Sequence, residues 1–354
     1  MSVNSRETPH GVNGIFSATP GRPRGSAFAA APALTPHARR LLRAPAQDPH
    51  VSWHNGLYHY CESSAYGIFI RSAAHFLDLG QAESRRVWAP PAKGPASRHL
   101  WAPELHWIDG RCYIYFAADN GRNANHRMWV LAAKTENPTG SYELVGSLET
   151  GGWAIDGTIL TDAFGNHIFV WSGWPGARNG QQNLYMARMK NPTTLTGPRV
   201  LLAQPHRNWE CHGMPICEGP QILQRGGRTF IVYSASGSWT QDYCLGVLAH
   251  DGGDLMNPAS WRNVGPSLQK NVHAWGAGHC CFVNSPDTVE NWIIYHAKTS
   301  RRTGWDDREV RAQSFSWNAA GEPVIGAPLP VELAPLESRT PVVAEVPSLV
   351  AQSA

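Results

Sequence analysis

The sequence predicts an all-β protein, specifically a five-bladed β-propeller. Three observations carry this prediction. The 354-residue chain has 34 Gly, 27 Pro and 15 Trp but only 16% charged residues, a composition typical of turn-rich sheet proteins. No segment has the apolar period of a long amphipathic helix. Finally, one unit of two short strands joined by a tight turn recurs five times along the chain.

The repeated unit is clearest in its fourth copy. There Glu218 and the Gly219-Pro220 break lead into the segment Gln221-Ile222-Leu223, and a Gly226-Gly227 turn follows. The next segment, 228–234, contains Phe, Ile, Val and Tyr and is predicted as the returning strand. We call the polar residue that opens each copy its anchor.

The other four copies have the same plan and are predicted as hairpins. They open at 47–51, 101–107, 154–160 and 276–282, and they return through 57–60, 112–116, 167–171 and 291–296. Third strands are predicted at 128–133 and 183–188. The anchors are Asp48, Glu104, Asp156, Glu218 and His279, separated by 56, 52, 62 and 61 residues. A two-sandwich fold is the structural alternative, but it does not explain so regular a step.

The repeats set the predicted domain boundaries. Residues 45–332 are predicted to form the propeller, which is the catalytic domain in the interpretation below. Residues 1–44 are rich in Ala, Pro, Arg and Ser without periodicity and are predicted to be a disordered or loosely packed arm. Residues 333–354 have a similar composition and are predicted to be a C-terminal tail.

Composition also excludes several classes of function. With 30 Lys plus Arg against 27 Asp plus Glu, the formal charge is only +3, so no nucleic-acid partner is expected. No run of 18 apolar residues is present, so no membrane partner is expected. The segment 22–34 resembles a signal peptide only faintly, because its apolar stretch is short and contains Pro. We therefore expect a cytoplasmic location, with secretion as the alternative.

Four of the five anchors are carboxylates, and three of these, Asp48, Asp156 and Glu218, open the first, third and fourth copies. The first strand of each propeller blade lines the central channel, so these side chains should converge at one face. Asp before Pro and Glu before Gly-Pro are also ordinary turn chemistry, which accounts for a single anchor better than for three in register. Glycosidic bond cleavage needs one protonated carboxyl to donate to the leaving oxygen and one ionised carboxyl to activate water or attack carbon.

The ordered motifs resemble those of glycoside hydrolase family 43 across all five predicted blades. They read QDPHV at 47–51, WAPELHW at 101–107, AIDGTIL at 154–160, CEGPQIL at 217–223 and GAGHCCF at 276–282. The resemblance implies an inverting enzyme with Asp48 as general base and Glu218 as general acid, whose protonation Asp156 tunes. It also implies that Arg308 contacts the substrate; a surface ion pair on a strand end is the alternative for that residue.

The same resemblance bears on metal binding. It places His279 at the channel centre, near a calcium ion held largely through waters. The family's usual Gly-Pro-Gly-His-Asn-Ser pattern is altered here, because Ala277, Cys280 and Cys281 replace the Pro, Asn and Ser. We therefore expect no required cofactor and keep a structural calcium ion as an open alternative.

Other residues near the anchors have possible lesser roles. Trp101 and Trp153 could stack on sugar faces, and core packing is an equal alternative for both. Glu104 is expected to be a structural hydrogen-bond acceptor. Glu210 sits in a Trp-Glu-Cys motif that resembles the acid motif of retaining, invertase-type propellers. We prefer Glu218, because it leads directly into the apolar strand.

The predicted function is an exo-acting α-L-arabinofuranosidase acting on arabinan or arabino-oligosaccharides. WAPELHW and the segment 299–308 look closest to that branch of the family. A β-xylosidase or an endo-arabinanase of the same fold would act on a related arabinose- or xylose-containing glycan. The alternative from another class is a non-catalytic sugar-binding propeller.

Overall fold

The computed structural model describes residues 37–332, so residues 1–36 of the predicted arm and all of the predicted tail lie outside the described residues. The described residues form 21 β-strands and four three-residue 3₁₀ turns. The 3₁₀ turns are Phe76–Asp78, Asn123–Asn125, Asn208–Glu210 and Pro258–Ser260. None of these turns approaches the length and hydrophobicity that a membrane-spanning helix needs.

The strands are bounded as follows. The first is β1 (Arg39–Leu42), followed by β2 (His50–His54), β3 (Leu57–Ser64), β4 (Gly67–Ala73) and β5 (Arg85–Trp88). Next come β6 (Arg98–Ile108), β7 (Arg111–Asp119), β8 (Arg127–Ala133), β9 (Tyr142–Ser147), β10 (Ala154–Thr161), β11 (His167–Gly173), β12 (Asn183–Asn191) and β13 (Thr194–Ala203). The last are β14 (Cys217–Arg225), β15 (Arg228–Ala235), β16 (Cys244–His250), β17 (Trp261–Asn263), β18 (Trp275–Asn284), β19 (Asn291–Lys298), β20 (Arg308–Trp317) and β21 (Pro323–Val324).

These strands form five antiparallel sheets, one for each predicted repeat. Four sheets follow chain order: β2-β3-β4-β5, β6-β7-β8-β9, β10-β11-β12-β13 and β14-β15-β16-β17. The fifth is β18-β19-β20-β1, with β21 paired to β20. The predicted strand segments coincide with strands in all five repeats, except that the first repeat opens at His50 rather than Gln47. The five-bladed β-propeller is confirmed.

Five hydrophobic clusters lie between neighbouring blades and close the ring. They pair Ile70 with Leu105, Met128 with Phe169, Ile168 with Ile231, Val247 with Ile293, and Ile294 with Val51, so that blade five packs against blade one. Each blade thus buries both of its faces against neighbours, as the mostly buried patterns of the middle strands show.

The ring is also closed by hydrogen bonds, because β1 supplies the outer strand of blade five. Arg39 pairs with Ala312 and Arg40 with Arg311, nearly the whole propeller apart in sequence. The predicted arm, 1–44, therefore overlaps the propeller: residues 39–42 belong to the fifth blade. The signal is weak in the sequence, since a four-residue strand has little pattern of its own.

Each blade begins with a backbone irregularity that shapes the channel. A residue near the start of each innermost strand has a positive φ: Asp48 (49°), Ala102 (40°), Asp156 (56°), Gly219 (52°) and His279 (44°). In β6, β10, β14 and β18 the strand register shifts at this point. Such bulges re-aim side chains, and a positive φ outside Gly costs ~1–3 kcal/mol. The residues equivalent to Asp156 are therefore Ala102 and Gly219, not the predicted anchors Glu104 and Glu218.

Candidate active site

The three predicted carboxyl residues converge at the start of the innermost strands. His279 links two of them: its Nδ1 lies 3.5 Å from Asp48 Oδ1 and 4.0 Å from Asp156 Oδ2. The backbone N–H of Gly219, the residue after Glu218, donates to Asp156 Oδ2 at 3.1 Å. Blades one, three, four and five therefore contribute to one centre, and this convergence is what the repeat pattern predicted.

Asp48 is surrounded by basic groups. Its Oδ1 lies 3.5 Å from His279 Nδ1, 3.2 Å from His296 Nδ1 and 3.7 Å from Arg308 Nη1. Burial alone would raise the pKa of Asp48. The charge of His279, the hydrogen bond with His296 and the charge of Arg308 outweigh burial and hold this pKa well below its ordinary value. Asp48 is therefore ionised throughout the neutral range, as a general base must be.

Asp156 and Glu218 have the opposite electrostatic environment. Burial raises the pKa of Glu218 to about 7, the negative charge of Asp48 adds to the rise, and hydrogen bonding from Tyr243 opposes it. Burial also raises the pKa of Asp156, and the charges of Glu218 and Asp48 raise it further. Because both pKa values are raised, these two carboxyls together retain at least one proton near neutral pH. A proton donor is therefore available opposite an ionised Asp48.

Two residues that contact the carboxyl groups, Tyr243 and His296, are not predicted as site residues by the sequence. Tyr243 is fully buried, and its hydroxyl donates to Glu218 Oε1 at 2.8 Å. Its ring stacks on His296 with centroids 5.5 Å apart. His296 Nδ1 lies 3.2 Å from both the backbone N and the carboxylate Oδ1 of Asp48. His296 ends a predicted strand, whereas Tyr243 follows a loop and has no sequence signal of its own.

Arg308 is in the site rather than on the surface. It is 5% exposed, begins β20, and points its guanidinium at Asp48. The alternative of a surface ion pair is therefore wrong, whereas contact with substrate stays a prediction.

The two predicted sugar-stacking Trp residues have different environments. Trp153 is 4% exposed, stacks on Trp174 with centroids 4.6 Å apart, and donates from Nε1 to the Asn123 carbonyl at 2.7 Å. That is the core-packing alternative. Trp101 is half-buried and stacks on His126 at 4.0 Å. Among the described contacts, none joins either Trp to Asp48, Asp156 or Glu218.

Glu210, the rejected acid candidate, has a structural environment. It is 1% exposed and accepts hydrogen bonds from the backbone of His206 and Arg207 and from the Tyr233 hydroxyl. These bonds hold the 3₁₀ turn between blades three and four. The preference for Glu218 over Glu210 agrees with this geometry.

Below the carboxyl centre, one group of possible metal ligands occurs within residues 37–332: His50, Glu104 and His106, whose donor atoms lie within 4.8 Å of one another. The Leu105 N–H donates to His50 Nδ1, so neutral His50 carries its proton on Nε2, the atom facing Glu104. Glu104 also accepts hydrogen bonds from His106 at 2.8 Å and from Gln221. These donors suit a hydrogen-bonded carboxylate, the role expected of Glu104, and not a metal ion.

The surroundings of His279 do not suit a directly held calcium ion either. Calcium takes about six to eight oxygen ligands. The side-chain oxygens described around His279 are those of Asp48 and Asp156, which it faces, and of Ser234, which accepts its backbone N–H. A calcium ion held through waters stays a prediction. Dialysis against EDTA, followed by a melting-temperature measurement, tests it.

A five-bladed propeller with an ionised and a protonated carboxyl at its axis has the architecture of a glycoside hydrolase. Comparison with known proteins identifies the family: the profile described as "Glycosyl hydrolases family 43" matches residues 41–323. The chain therefore belongs to glycosyl hydrolases family 43. The family and enzyme class predicted from the motifs are confirmed.

Individual relatives agree with this assignment. The extracellular exo-α-(1→5)-L-arabinofuranosidase of Streptomyces avermitilis is 33% identical over 88% of this chain and 67% of its own length. The α-L-arabinofuranosidase 43 of Humicola insolens is 35% identical over 82% of this chain and 64% of its own. The crystal structure of α-L-arabinofuranosidase from Lactobacillus brevis superposes with a TM-score of 0.78 at 31% identity, covering 82% of this chain and 97% of that one. The chain thus spans about two thirds of the length of the first two relatives.

The hydrogen bond from the Tyr243 hydroxyl should lower the pH at which the enzyme loses activity on the alkaline side, because it lowers the pKa of Glu218. The family resemblance implies that Glu218 acts as the general acid, so kcat/KM is expected to fall as pH rises through about 7. Tyr243→Phe removes a hydrogen bond that favours the carboxylate, so the pKa of Glu218 should rise. The alkaline limb should then move upward by about one pH unit, because such bonds are worth ~1.5 kcal/mol or more. Tyr58→Phe, whose hydroxyl donates to the Asn284 carbonyl, is the control; an unmoved limb in Tyr243→Phe would contradict the assignment.

Proposed function

We propose that this chain is an exo-acting α-L-arabinofuranosidase that cleaves arabinan or arabino-oligosaccharides with inversion at the anomeric carbon. The observation that carries the proposal is the difference in pKa between Asp48, which is held ionised, and the two buried carboxyls of Asp156 and Glu218, whose pKa values are raised. The names of the Streptomyces, Humicola and Lactobacillus relatives support arabinofuranose as the sugar that is released.

In the proposed mechanism each carboxyl has one task. Asp48 accepts a proton from a water molecule as that water attacks the anomeric carbon. Glu218 donates its proton to the glycosidic oxygen as the bond to carbon breaks. Asp156, 4.0 Å from His279 and bonded to the Gly219 N–H, keeps Glu218 protonated until this step. Arg308 and His279 stabilise the charge of Asp48 before the attack.

Inversion is supported by the positions of Asp48 and Glu218 in the propeller. Asp48 precedes β2 in blade one, and Glu218 is the second residue of β14 in blade four, so they belong to non-adjacent blades of a five-membered ring. Carboxyls facing each other across the channel favour the ~6.5–9.5 Å separation that admits a water over the ~5–5.5 Å of a covalent mechanism.

The stereochemical outcome tests the proposed mechanism directly. The first product anomer should have inverted configuration, because water attacks the face opposite the departing group. Proton NMR recorded in the first minutes of hydrolysis distinguishes the two anomers. A retained anomer, or transfer of the sugar to added methanol, would show that an aspartate attacks carbon.

The sugar and mode of attack are tested by parallel assays. Release of p-nitrophenol from the α-L-arabinofuranoside should exceed release from the β-xyloside, and arabinan should yield arabinose rather than longer oligosaccharides. The reverse preference would favour the β-xylosidase alternative, and release of oligosaccharides the endo-arabinanase. A non-catalytic sugar-binding propeller is disfavoured, because sugar binding alone gains nothing from buried carboxyls with raised pKa values beside an ionised one.

We also infer secretion rather than the cytoplasmic location expected from the sequence. The Streptomyces relatives are named extracellular, and arabinan or arabino-oligosaccharides are the substrates proposed here. Fractionation of cells expressing the natural gene checks this inference.

A further inference from the structure

Two loops meet at the catalytic end of blades four and five. β14 and β18 begin at that end and carry Glu218 and His279 in their first halves, and β15 and β19 run back toward it. The segments that follow β15 and β19, 236–243 and 299–307, therefore lie at the channel mouth where the carboxyl groups converge. The sequence of loop 299–307 resembles that of arabinofuranosidases, but the resemblance does not predict what the loop does.

The two loops are joined by specific contacts. The Gly304 N–H donates to the Trp239 carbonyl at 2.9 Å, and Trp305 Nε1 donates to Ser238 Oγ at 3.1 Å. The indole rings of Trp239 and Trp305 pack edge to face, with centroids 5.9 Å apart and planes at 71°. Trp239 thus braces Trp305 across the blade boundary. We call Trp239 and Trp305 together the indole pair.

Loop 299–307 is held in place by the buried side chain of Lys298. Lys298 has no exposed surface, and its Nζ contacts both the Gly304 carbonyl and Asp307 Oδ1 at 2.5 Å. Asp307 Oδ2 in turn accepts hydrogen bonds from the backbone and side chain of Ser300. A buried ammonium paired in this way fixes the loop before any ligand arrives, which reduces the entropy lost on binding.

The indole pair is tied to the catalytic base. The Trp305 carbonyl accepts a hydrogen bond from Arg308 Nε at 3.2 Å, and Arg308 Nη1 lies 3.7 Å from Asp48 Oδ1. Trp305 is nevertheless 50% exposed, in contrast to the buried Trp153. Trp305 is therefore connected to Asp48 through a single residue, Arg308. Its exposed indole ring, held on an ordered loop, can contact a ligand.

We propose that Trp305, braced by Trp239, forms the leaving-group subsite, stacking on the sugar ring next to the scissile bond. The inference rests on the proposed function. An exo-acting enzyme encloses the terminal sugar among Asp48, Asp156 and Glu218, so the departing part of the glycan lies at the channel mouth. The carbon face of a pentose is uncharged and apolar, which suits a flat indole better than a charged group would.

The test compares substrates with and without a departing sugar in Trp305→Ala. On α-1,5-linked arabinotriose kcat/KM should fall roughly 5- to 10-fold, the size expected for loss of one aromatic stacking contact. On methyl α-L-arabinofuranoside, whose leaving group has no ring, it should stay within about 2-fold. Trp305→Phe should recover part of the arabinotriose rate. Equal losses on both substrates, or no loss on arabinotriose, would overturn the subsite.

Two further measurements separate this inference from folding and from the proposed function. Trp53→Ala is the matched control, because Trp53 is 61% exposed beside a cavity of about 420 Å³ at the opposite end of the channel; it should change neither rate. In the inactive Glu218→Gln background, Trp305→Ala should weaken calorimetric binding of arabinotriose by a similar factor. If the unmodified enzyme hydrolyses neither arabinofuranoside, the proposed function fails; if it hydrolyses both, the variant ratios decide the subsite.

Discussion

Glu218→Gln should lower kcat/KM on arabino-oligosaccharides by ~10²–10⁴-fold, the usual contribution of a positioned proton donor. The leaving oxygen of a sugar is a poor leaving group until it is protonated, and the amide cannot supply that proton. The substitution keeps the side-chain shape and leaves a carbonyl oxygen to accept the Tyr243 hydroxyl, now 2.8 Å from Glu218 Oε1. p-Nitrophenyl arabinofuranoside should be affected much less, because its phenolate departs without help.

The contrast between the two substrates is the decisive measurement for Glu218. Glu143→Gln, at a side chain 52% exposed on the outer strand of blade two, should leave both rates unchanged. If oligosaccharide and aryl substrates lose the same factor, Glu218 is not the proton donor, and the assignment of roles within the centre must change.

Asp48→Asn should reduce kcat/KM by a similar ~10²–10⁴-fold on both kinds of substrate. Activation of water is required whatever group departs, so a better leaving group should not rescue this variant. The substitution also removes a negative charge that raises the pKa of Glu218, so the residual activity should lose its alkaline limb at lower pH than the unmodified enzyme. The pH profile of the residual rate on the aryl substrate checks both expectations.

A selective loss in Asp48→Asn would contradict this assignment. If only substrates with poor leaving groups were affected, Asp48 would be acting as the acid. A circular dichroism melt should accompany the assay, because Asn leaves Arg308 and His279 facing a neutral group. Lower stability with an unchanged rate per folded molecule would also refute the catalytic role.

Local patterns predicted most of the fold. The strands that flank Gly226-Gly227 and Asn55-Gly56 can be predicted from the sequence, because strand patterns and turn preferences depend on residues that are close in sequence. The same patterns located Asp48, Asp156 and Glu218, since each precedes an apolar strand that has to line the channel. A repeat with a nearly constant step then requires these strand starts to meet.

The sequence by itself therefore determined the propeller, its five hairpins and the three carboxyl residues; the tertiary structure decided how they meet. The bulge in β14 places Gly219, and not Glu218, at the position that corresponds to Asp156 in β10. Burial of Trp153 and the Tyr243 bond to Glu218 depend on loops that carry no periodic signal. The pairing of residues 39–42 with β20 joins the two ends of the ring. Contacts of this kind are set by which blades become neighbours after folding, and a period of two along one strand carries no information about them.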